Sequence, residues 1–336
     1  MKKNIAVMAG GPSAEAGISL KSGQIVCEYL DKEKYNVYKV VIEGHDWLVE
    51  SDTGKTAVDK NDFSAVISGT KVKFDAVFVA IHGLPAEDGK LQGYFDMMGI
   101  PYNCCGVFTA ALTFDKSRTK EYLTPFGVLS AKSVVAKKDD DRVLLAQSIN
   151  AHLSYPLFVK PNKNGSSYGA SKVDSKEALE AAIDLGFDYD DEVIAEEYIK
   201  GTEVTCGVIR YKGRITPLPL TEIRSKNAFF DYQAKYEGHS KEVTPAEIDP
   251  AIAKQIQETS AFIYGKLDFK GMCRVDYILR DGQYYMLEVN SVPGLSAESI
   301  VPQQAKAFGM TLTELFSNSI EECLPTRQLA DYPDIE

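Results

Sequence analysis

Apolar and polar positions change over in short blocks along this chain, and the blocks read as alternating strands and helices. Residues 5–9 form an apolar run closed by Gly10 and Gly11. Between Ser19 and Leu30 the apolar positions Leu20, Ile25, Val26 and Leu30 repeat at helical spacing. Residues 35–42 and 74–81 are β-rich runs, and the second is almost wholly apolar, which predicts a strand buried on both faces. Residues 89–98 then read as a helix stopped by Gly99. This rhythm predicts a parallel sheet whose loops and helix starts gather at its carboxyl edge, where ligands usually sit.

The pattern changes beyond Ala110. A helix over 116–123 stops at Thr124 and Pro125, and is followed by a strand at 133–136, a helix at 144–153 and a strand at 157–160. The polar, glycine-bearing loop 162–169 leads to a helix at 176–184 and a strand at 192–197, predicting a compact α+β unit. A third unit opens near Gly201 with a hairpin of 204–210 and 215–220 around Lys212 and Gly213. Residues 224–244 are polar, aperiodic and interrupted by aromatics, the character of a functional lid. A helix at 252–267, strands at 272–279 and 283–289, and a closing helix after Pro302 complete the unit, and the tail after Pro325 reads as a surface extension.

Composition narrows the function classes. The chain has 336 residues, 44% of them apolar and 25% charged, which is ordinary globular usage with ample core for several domains. A formal net charge of −11 argues against a non-specific binder of nucleic acid or of anionic membranes, while leaving room for a local basic pocket. No run approaches the ~18 apolar residues of a membrane span. The apolar stretch behind Met1, Lys2 and Lys3 is too short for an export signal and reads as a core strand. Cys27, Cys104, Cys105, Cys206, Cys273 and Cys323 lack metal-like spacing and read as reduced thiols of a cytoplasmic protein.

Candidate chemistry concentrates between Arg274 and Asn290. Asp276, Glu288 and Asn290 carry the hard oxygen donors that Mg²⁺ prefers. A two-residue turn at Asp281 and Gly282 would put Asp276 and Glu288 on opposite faces of the hairpin. A three-residue loop at 280–282, pairing Leu279 with Gln283, puts Arg274, Asp276, Glu288 and Asn290 on one face. Val275, Tyr277, Leu279, Tyr285, Leu287 and Val289 then share the other, so this register is expected. A solvated polar face is the alternative to a metal site.

Other candidates are weaker alone. In the loop 161–169, small residues let backbone N–H groups approach phosphate oxygens, with Lys160 and Lys163 supplying charge; taken alone, a plain β-turn is the preferred reading. Glu15 suits a substrate ammonium group or a helix dipole. His82, Glu87 and Asp88 end the 74–81 strand at the ligand edge, where helix capping by Asp88 is the alternative. Ser296 to Ser299 resembles a helix start, where free N–H groups hold a carboxylate or are merely capped.

Their order is more telling. Gly10-Gly11-Pro12-Ser13-Ala14-Glu15, His82-Gly83, Glu87-Asp88-Gly89-Lys90-Leu91-Gln92-Gly93, Asp115-Lys116 and Val159-Lys160-Pro161 come first. Gly165-Ser166-Ser167-Tyr168-Gly169, Asp231-Tyr232-Gln233-Ala234-Lys235-Tyr236, Arg274-Val275-Asp276 and the run from Leu287 to Gly294 follow. Through about Leu324 the chain resembles the D-alanine–D-alanine ligase family of the ATP-grasp superfamily. The resemblance implies an α/β chain with α+β subdomains: an N-terminal parallel-sheet domain followed by a two-subdomain ATP-grasp fold. Its expected bounds are 1–104 for the substrate-binding domain, 105–200 for the central subdomain, 201–326 for the C-terminal subdomain with metal site and lid, and 327–336 for a tail.

The implied activity is ATP-dependent joining of two D-alanine molecules through a D-alanyl phosphate, for peptidoglycan precursor synthesis, with ATP and two Mg²⁺ (or Mn²⁺) as cofactors. Lys116 and Lys160 would contact phosphates, Glu196, Glu197 and Ile199 the adenine side, and Glu203 the ribose. Asp276, Glu288 and Asn290 would hold the metals. Glu15, Ser166 and Tyr236 would form a network beside the first D-alanine, and Arg274 with the Gly294 N–H would steady the oxyanion. His82, Lys235, Ser299 and the Ile300 backbone would serve the substrates. A cytoplasmic homodimer, without nucleic-acid or membrane partners, is implied too. Ala86, Gly17 and Tyr168 depart from the common family pattern. D-Alanine–D-lactate or D-alanine–D-serine ligation, or a non-catalytic ATP-binding regulator, are the competing functions.

Overall fold

The computed structural model describes residues 2–52, 54–225 and 240–324. Among these the strands form three sheets. The expected lid residues Lys235 and Tyr236, and the tail beyond Pro325, lie outside the described residues.

The first sheet is built from β1 (Lys3–Gly10), β2 (Tyr35–Glu43), β3 (Asp46–Ser51), β4 (Gly54–Asp59), β5 (Ser64–Ile67), β6 (Thr70–Lys73) and β7 (Ala76–Val79), in the order β6-β5-β4-β3-β2-β1-β7. The apolar run 5–9 lies in the middle, parallel to both β2 and β7, as its freedom from polar residues requires. Helix α1 (Ala16–Tyr29) crosses over between β1 and β2. The antiparallel extension β3 to β6 was not evident in the sequence: its strands are short and mostly half-exposed, so they lack a strong apolar signal.

Helices α2 (Lys90–Met98), α3 (Val107–Phe114) and α4 (Lys116–Leu123) follow. Gly99 ends α2 in the left-handed conformation at φ 64°, a C-terminal stop that costs glycine no Cβ clash. Asp115 ends α3 and caps α4, its side chain accepting the Arg118 N–H. Asn162 locks the same corner: its amide donates to Asp115 at 2.8 Å and accepts the Ser117 N–H at 2.9 Å. Lys116 is thereby held at a helix start beside the glycine-bearing loop.

The central sheet, order β10-β9-β11-β8, comprises β8 (Ser133–Lys137), β9 (Leu157–Pro161), β10 (Ser171–Val173) and β11 (Glu192–Glu197), covered by α5 (Arg142–His152) and α6 (Leu179–Phe187). The third sheet, β15-β14-β12-β16-β17 with β13 beside β12, uses β12 (Thr202–Tyr211), β13 (Arg214–Pro217), β14 (Thr221–Ser225), β15 (Ser240–Val243), β16 (Met272–Arg280) and β17 (Gln283–Asn290). It packs on α7 (Pro250–Lys266), whose N-terminus is marked by Asp249 and Pro250.

The chain closes with two helices. One, α8 (Ile300–Phe308), begins before Pro302 and takes that proline in its first turn; the other, α9 (Leu312–Cys323), opens on a capping box between Thr311 and Glu314. Leu315, Phe316 and Ile320 of α9 join Ile5, Val7 and Phe78 in one apolar cluster, with Phe78 and Phe316 edge-on at 5.7 Å. Ala110 and Leu123 pack beneath the third sheet with Val204, Val275 and Tyr277. The C-terminal helices thus tie the third sheet to the first. Each cysteine is a free thiol.

Candidate active site

Two clefts meet where the three sheets converge. The first, about 920 Å³, is walled by Lys116, Lys160, Glu196, Glu197, Ile199, Glu203, Asp276 and Glu288. The second, about 1120 Å³, takes in Glu15, His82, Arg274, Glu288, Asn290, Gly294, Ser299 and Ile300. Gly165, Ser166 and Glu288 border both. The described residues assigned a role by the resemblance therefore converge on one connected space, whereas Lys163 pairs with Glu192 and Asp88 with Lys90 outside its lining.

The first cleft follows from strand alternation. Along β9, Leu157 and Val159 enter the core while Phe158 and Lys160 face the cleft. Lys160 Nζ lies 3.0 Å from Glu196 Oε2, and Lys120 Nζ closes on Glu196 Oε1 from the other side. Lys120 and Glu196 are almost fully buried, so neither charge is tolerable without the other. Burial, helped by the neighbouring cations Lys160 and Lys116, holds the Lys120 ammonium well below its ordinary pKa. The sequence reading missed Lys120; its one signal is a cation one helical turn beyond Lys116, on the same face of α4.

The hairpin reaches its expected face by a different route. Its tip is the two-residue turn, with Arg280 opposite Gln283, and not the three-residue loop. A bulge then restores the phase: Tyr277 pairs with Met286, Asp276 with Glu288, and Leu287 is the extra residue. The buried face accordingly holds Val275, Tyr277, Met286 and Val289, with Leu279 and Tyr284 packed against it. Leu287 and Ile278 line the first cleft instead, and Tyr285 pairs with Ile278, so the expected placing of Tyr285 and Leu287 on the core face is corrected.

Asp276 is saturated with donors. Arg274 Nε and Nη2 donate to its two oxygens at 2.8 Å each, Thr205 Oγ1 at 2.5 Å and Asn290 Nδ2 at 2.9 Å. Against the cost of burial, the carboxylates of Asp276, Glu288 and Glu203 raise the Arg274 pKa above its ordinary value and keep the guanidinium charged. Lys116 Nζ stands 3.5 Å from Glu288 and donates to the Asn164 carbonyl at 2.6 Å. Asp276, Glu288 and Asn290 thus set hard oxygens on one face beside the cations Arg274 and Lys116, a donor set that suits a divalent metal with phosphate ligands once the metal displaces donors now on Asp276.

The second cleft is closed by the glycine-bearing loop. Ser166 and Ser167 both adopt left-handed backbone, φ 52° and 58°, and Ser166 Oγ donates to Glu15 Oε1 at 2.5 Å. Glu15 precedes α1 without capping it, so its carboxylate reaches across the cleft. His82 is buried between Ser22 and Val292. Its Nδ1 faces the Val292 carbonyl at 2.9 Å and so carries the proton, which leaves Nε2 to accept from Ser22 Oγ at 2.9 Å. Burial chiefly lowers its pKa, keeping the ring neutral, and both nitrogens are engaged. Glu87, also in this wall, is pushed up to about 8 by burial and by Glu15 and Glu288, against the pull of Lys116. Ser299 begins α8 without capping it and bonds Ser296 Oγ at 2.8 Å, so the helix N–H groups remain available to a carboxylate.

Known proteins are similar to this chain in sequence and in fold. The family described as D-ala D-ala ligase N-terminus matches residues 4–105, and that described as D-ala D-ala ligase C-terminus matches 123–321. A D-alanine--D-alanine ligase of Flavobacterium johnsoniae is 47% identical over 320 residues, covering 95% of this chain and 98% of that protein. One from Bacteroides fragilis is 43% identical, covering 96% and 99%. Among solved structures, the VanG D-Ala:D-Ser ligase of Enterococcus faecalis superposes with TM-score 0.86 at 34% identity, covering 96% and 99%. The D-alanine--D-alanine ligase of Bacillus anthracis complexed with ATP gives 0.76 at 28% identity, covering 96% and 97%.

Proposed function

Because the chain belongs to the D-alanine–D-alanine ligase family, we propose that it spends ATP to join two D-alanine molecules into D-alanyl-D-alanine for peptidoglycan precursor synthesis. The observation that carries this reading is the meeting of two clefts along Gly165, Ser166 and Glu288: one that sets Lys116 and Lys160 beside the Asp276 and Glu288 carboxylates, for a metal-bound polyphosphate, and a carboxylate-and-amide one for amino acids.

A carboxylate is a poor acylating agent, so the first D-alanine must be activated. Its carboxylate oxygen attacks the γ-phosphorus of ATP, ADP leaves, and a D-alanyl phosphate results. Lys116 and Lys160 lie on the phosphate side of the first cleft and offset the charge gathered there. Asp276, Glu288 and Asn290 would hold two Mg²⁺ or Mn²⁺ ions, which when bound neutralise phosphate charge. Glu196, Glu197 and Ile199 serve the adenine side and Glu203 the ribose.

The second D-alanine then attacks the acyl carbon with its amine, and phosphate departs. Arg274 and the Gly294 N–H border that space and suit the oxyanion. Glu15, joined to Ser166, receives the first ammonium group; Ser299 and the Ile300 N–H receive the second carboxylate, with Lys235 and Tyr236 arriving from the lid. His82 acts as a fixed neutral wall, since its basic nitrogen is already taken by Ser22. Exclusion of water matters because the acyl phosphate hydrolyses.

Likeness to the D-Ala:D-Ser ligase supports D-serine as a second acceptor reading. Among the described residues no helix is long and apolar enough to cross a membrane; a cytoplasmic homodimer completes the proposal. The test is ADP release with D-alanine, L-alanine, D-serine or D-lactate, followed by mass identification of the product. D-Alanine-dependent release yielding the dipeptide is expected. Preferred formation of the D-serine dipeptide or the D-lactate ester would change the acceptor, and no D-alanine-dependent release would leave a regulator.

A further inference from the structure

The glycine-bearing loop is held at both ends by one turn that no reading of the site includes. At its start, the Lys163 N–H donates to Asp190 Oδ2 at 2.6 Å, while Asp190 Oδ1 accepts the Glu192 N–H at 3.2 Å. At its end, the Tyr168 ring lies over the Tyr189 ring, centroids 6.1 Å apart and planes within 21°. Gly169, at φ +70°, lets the chain press against the same residue: a Cβ there would meet Tyr189 Cδ2 at 2.6 Å and Pro161 Cγ at 3.0 Å. Tyr189 and Asp190 are fixed in turn by N–H bonds to the Gly186 carbonyl at the end of α6, at 3.1 and 3.2 Å.

The span between these ties needs holding. Ser166 and Ser167 are consecutive left-handed serines, a conformation that relaxes unless its surroundings enforce it. Through this span the loop delivers Ser166 to Glu15 and offers its backbone to the first cleft. Tyr189 is itself 48% exposed and lies outside the residues bordering either cleft, so it touches no substrate. A Val or Leu at position 168 would present no ring face to it.

From this geometry we infer that Tyr189 and Asp190 form the anchor of the glycine-bearing loop, and that Tyr189 is a positioning residue for ATP, acting through its stack on Tyr168. The inference rests on the ligase reading for its kinetic consequence but not for the anchoring itself. The stacked rings carry the contact, so phenylalanine serves as well as tyrosine.

The experiment compares Tyr189→Ala and Tyr189→Phe with the unaltered chain by nucleotide-free trypsin cleavage after Lys163, by ATP kinetics at saturating D-alanine, and by thermal melting. Tyr189→Ala should speed cleavage and raise KM for ATP about fivefold, the scale of one aromatic pair, with kcat changed less than twofold and the melting temperature nearly unmoved. Tyr189→Phe should restore all three. Unchanged cleavage and KM in Tyr189→Ala, or losses in kcat and melting temperature that phenylalanine does not restore, would overturn the anchor. If the unaltered chain shows no D-alanine-dependent turnover, the ligase reading fails, and faster cleavage of Tyr189→Ala at an unmoved melting temperature still upholds the anchor while unchanged cleavage rejects it.

Discussion

Asp276 and Glu288 stand directly opposite one another on β16 and β17, although the two-residue tip of their hairpin is one step out of phase for it. The extra residue Leu287 absorbs that step and turns its own side chain to the wall of the first cleft. The bulge therefore performs two tasks: it brings both carboxylates to one face and supplies an apolar surface beside them.

Glu288→Gln keeps the volume of this residue while removing a charge next to Lys116 and across from Asp276. Turnover should fall by about 10² to 10³, the usual loss when a charge-stabilising group is removed, with the melting temperature little changed. ADP-release kinetics and a thermal melt check this. Activity near that of the unaltered chain would mean the hairpin face is not where metal and phosphate are held.

Ser166→Ala removes the only donor this side chain offers to Glu15. A hydrogen bond to a charged group is worth about 1.5–3 kcal/mol, so KM for D-alanine should rise roughly 10- to 100-fold, by the same relation. Equilibrium binding of a non-hydrolysable ATP analogue should stay close to normal. Equal loss in nucleotide binding would show that Ser166 serves the phosphates and not the ammonium network.

Lys120→Met strips one of two cations from the buried Glu196 carboxylate. A buried charge left wholly unpaired costs about 3 kcal/mol or more; Lys160 stays 3.0 Å from Glu196, so denaturant unfolding should show a loss smaller than that. Adding Glu196→Gln should recover part of it, because the cost lies in the stranded charge. A double variant less stable than the single one would locate the cost in lost packing.

The Glu87 carboxyl gives a pH signature. Its folded pKa, about 8, exceeds the ordinary value of 4.5, so above about pH 4.5 the unfolded chain releases a proton that the folded chain still holds. Its contribution to stability is therefore full below the ordinary value and is lost as pH rises through about 8. Melting temperatures of nucleotide-free protein should fall, relative to Glu87→Gln, between about pH 5 and 8. A gap between the two proteins that stays constant with pH would show the carboxyl to be ionised throughout.

Local pattern alone determined much of this protein. The apolar run 5–9, the helical spacing of Leu20, Ile25, Val26 and Leu30, the stop at Gly99 and the ordered motifs from Glu15 to Gly294 reveal the elements and the family, since each is written within a few residues. The described residues to which those motifs assign a role in binding or catalysis line the joined clefts. What depended on partners distant in the chain stayed hidden. The short strands β3 to β6 gain stability from their neighbours and carry no period of their own. Leu287 looks like any core residue until the bulge turns it outward, and Lys120 looks like a surface lysine until α4 lays it against Glu196. Side-chain periodicity says which residues share a face, but ladder register and helix placement are set by packing across the whole molecule, so only the tertiary structure decided which face met which.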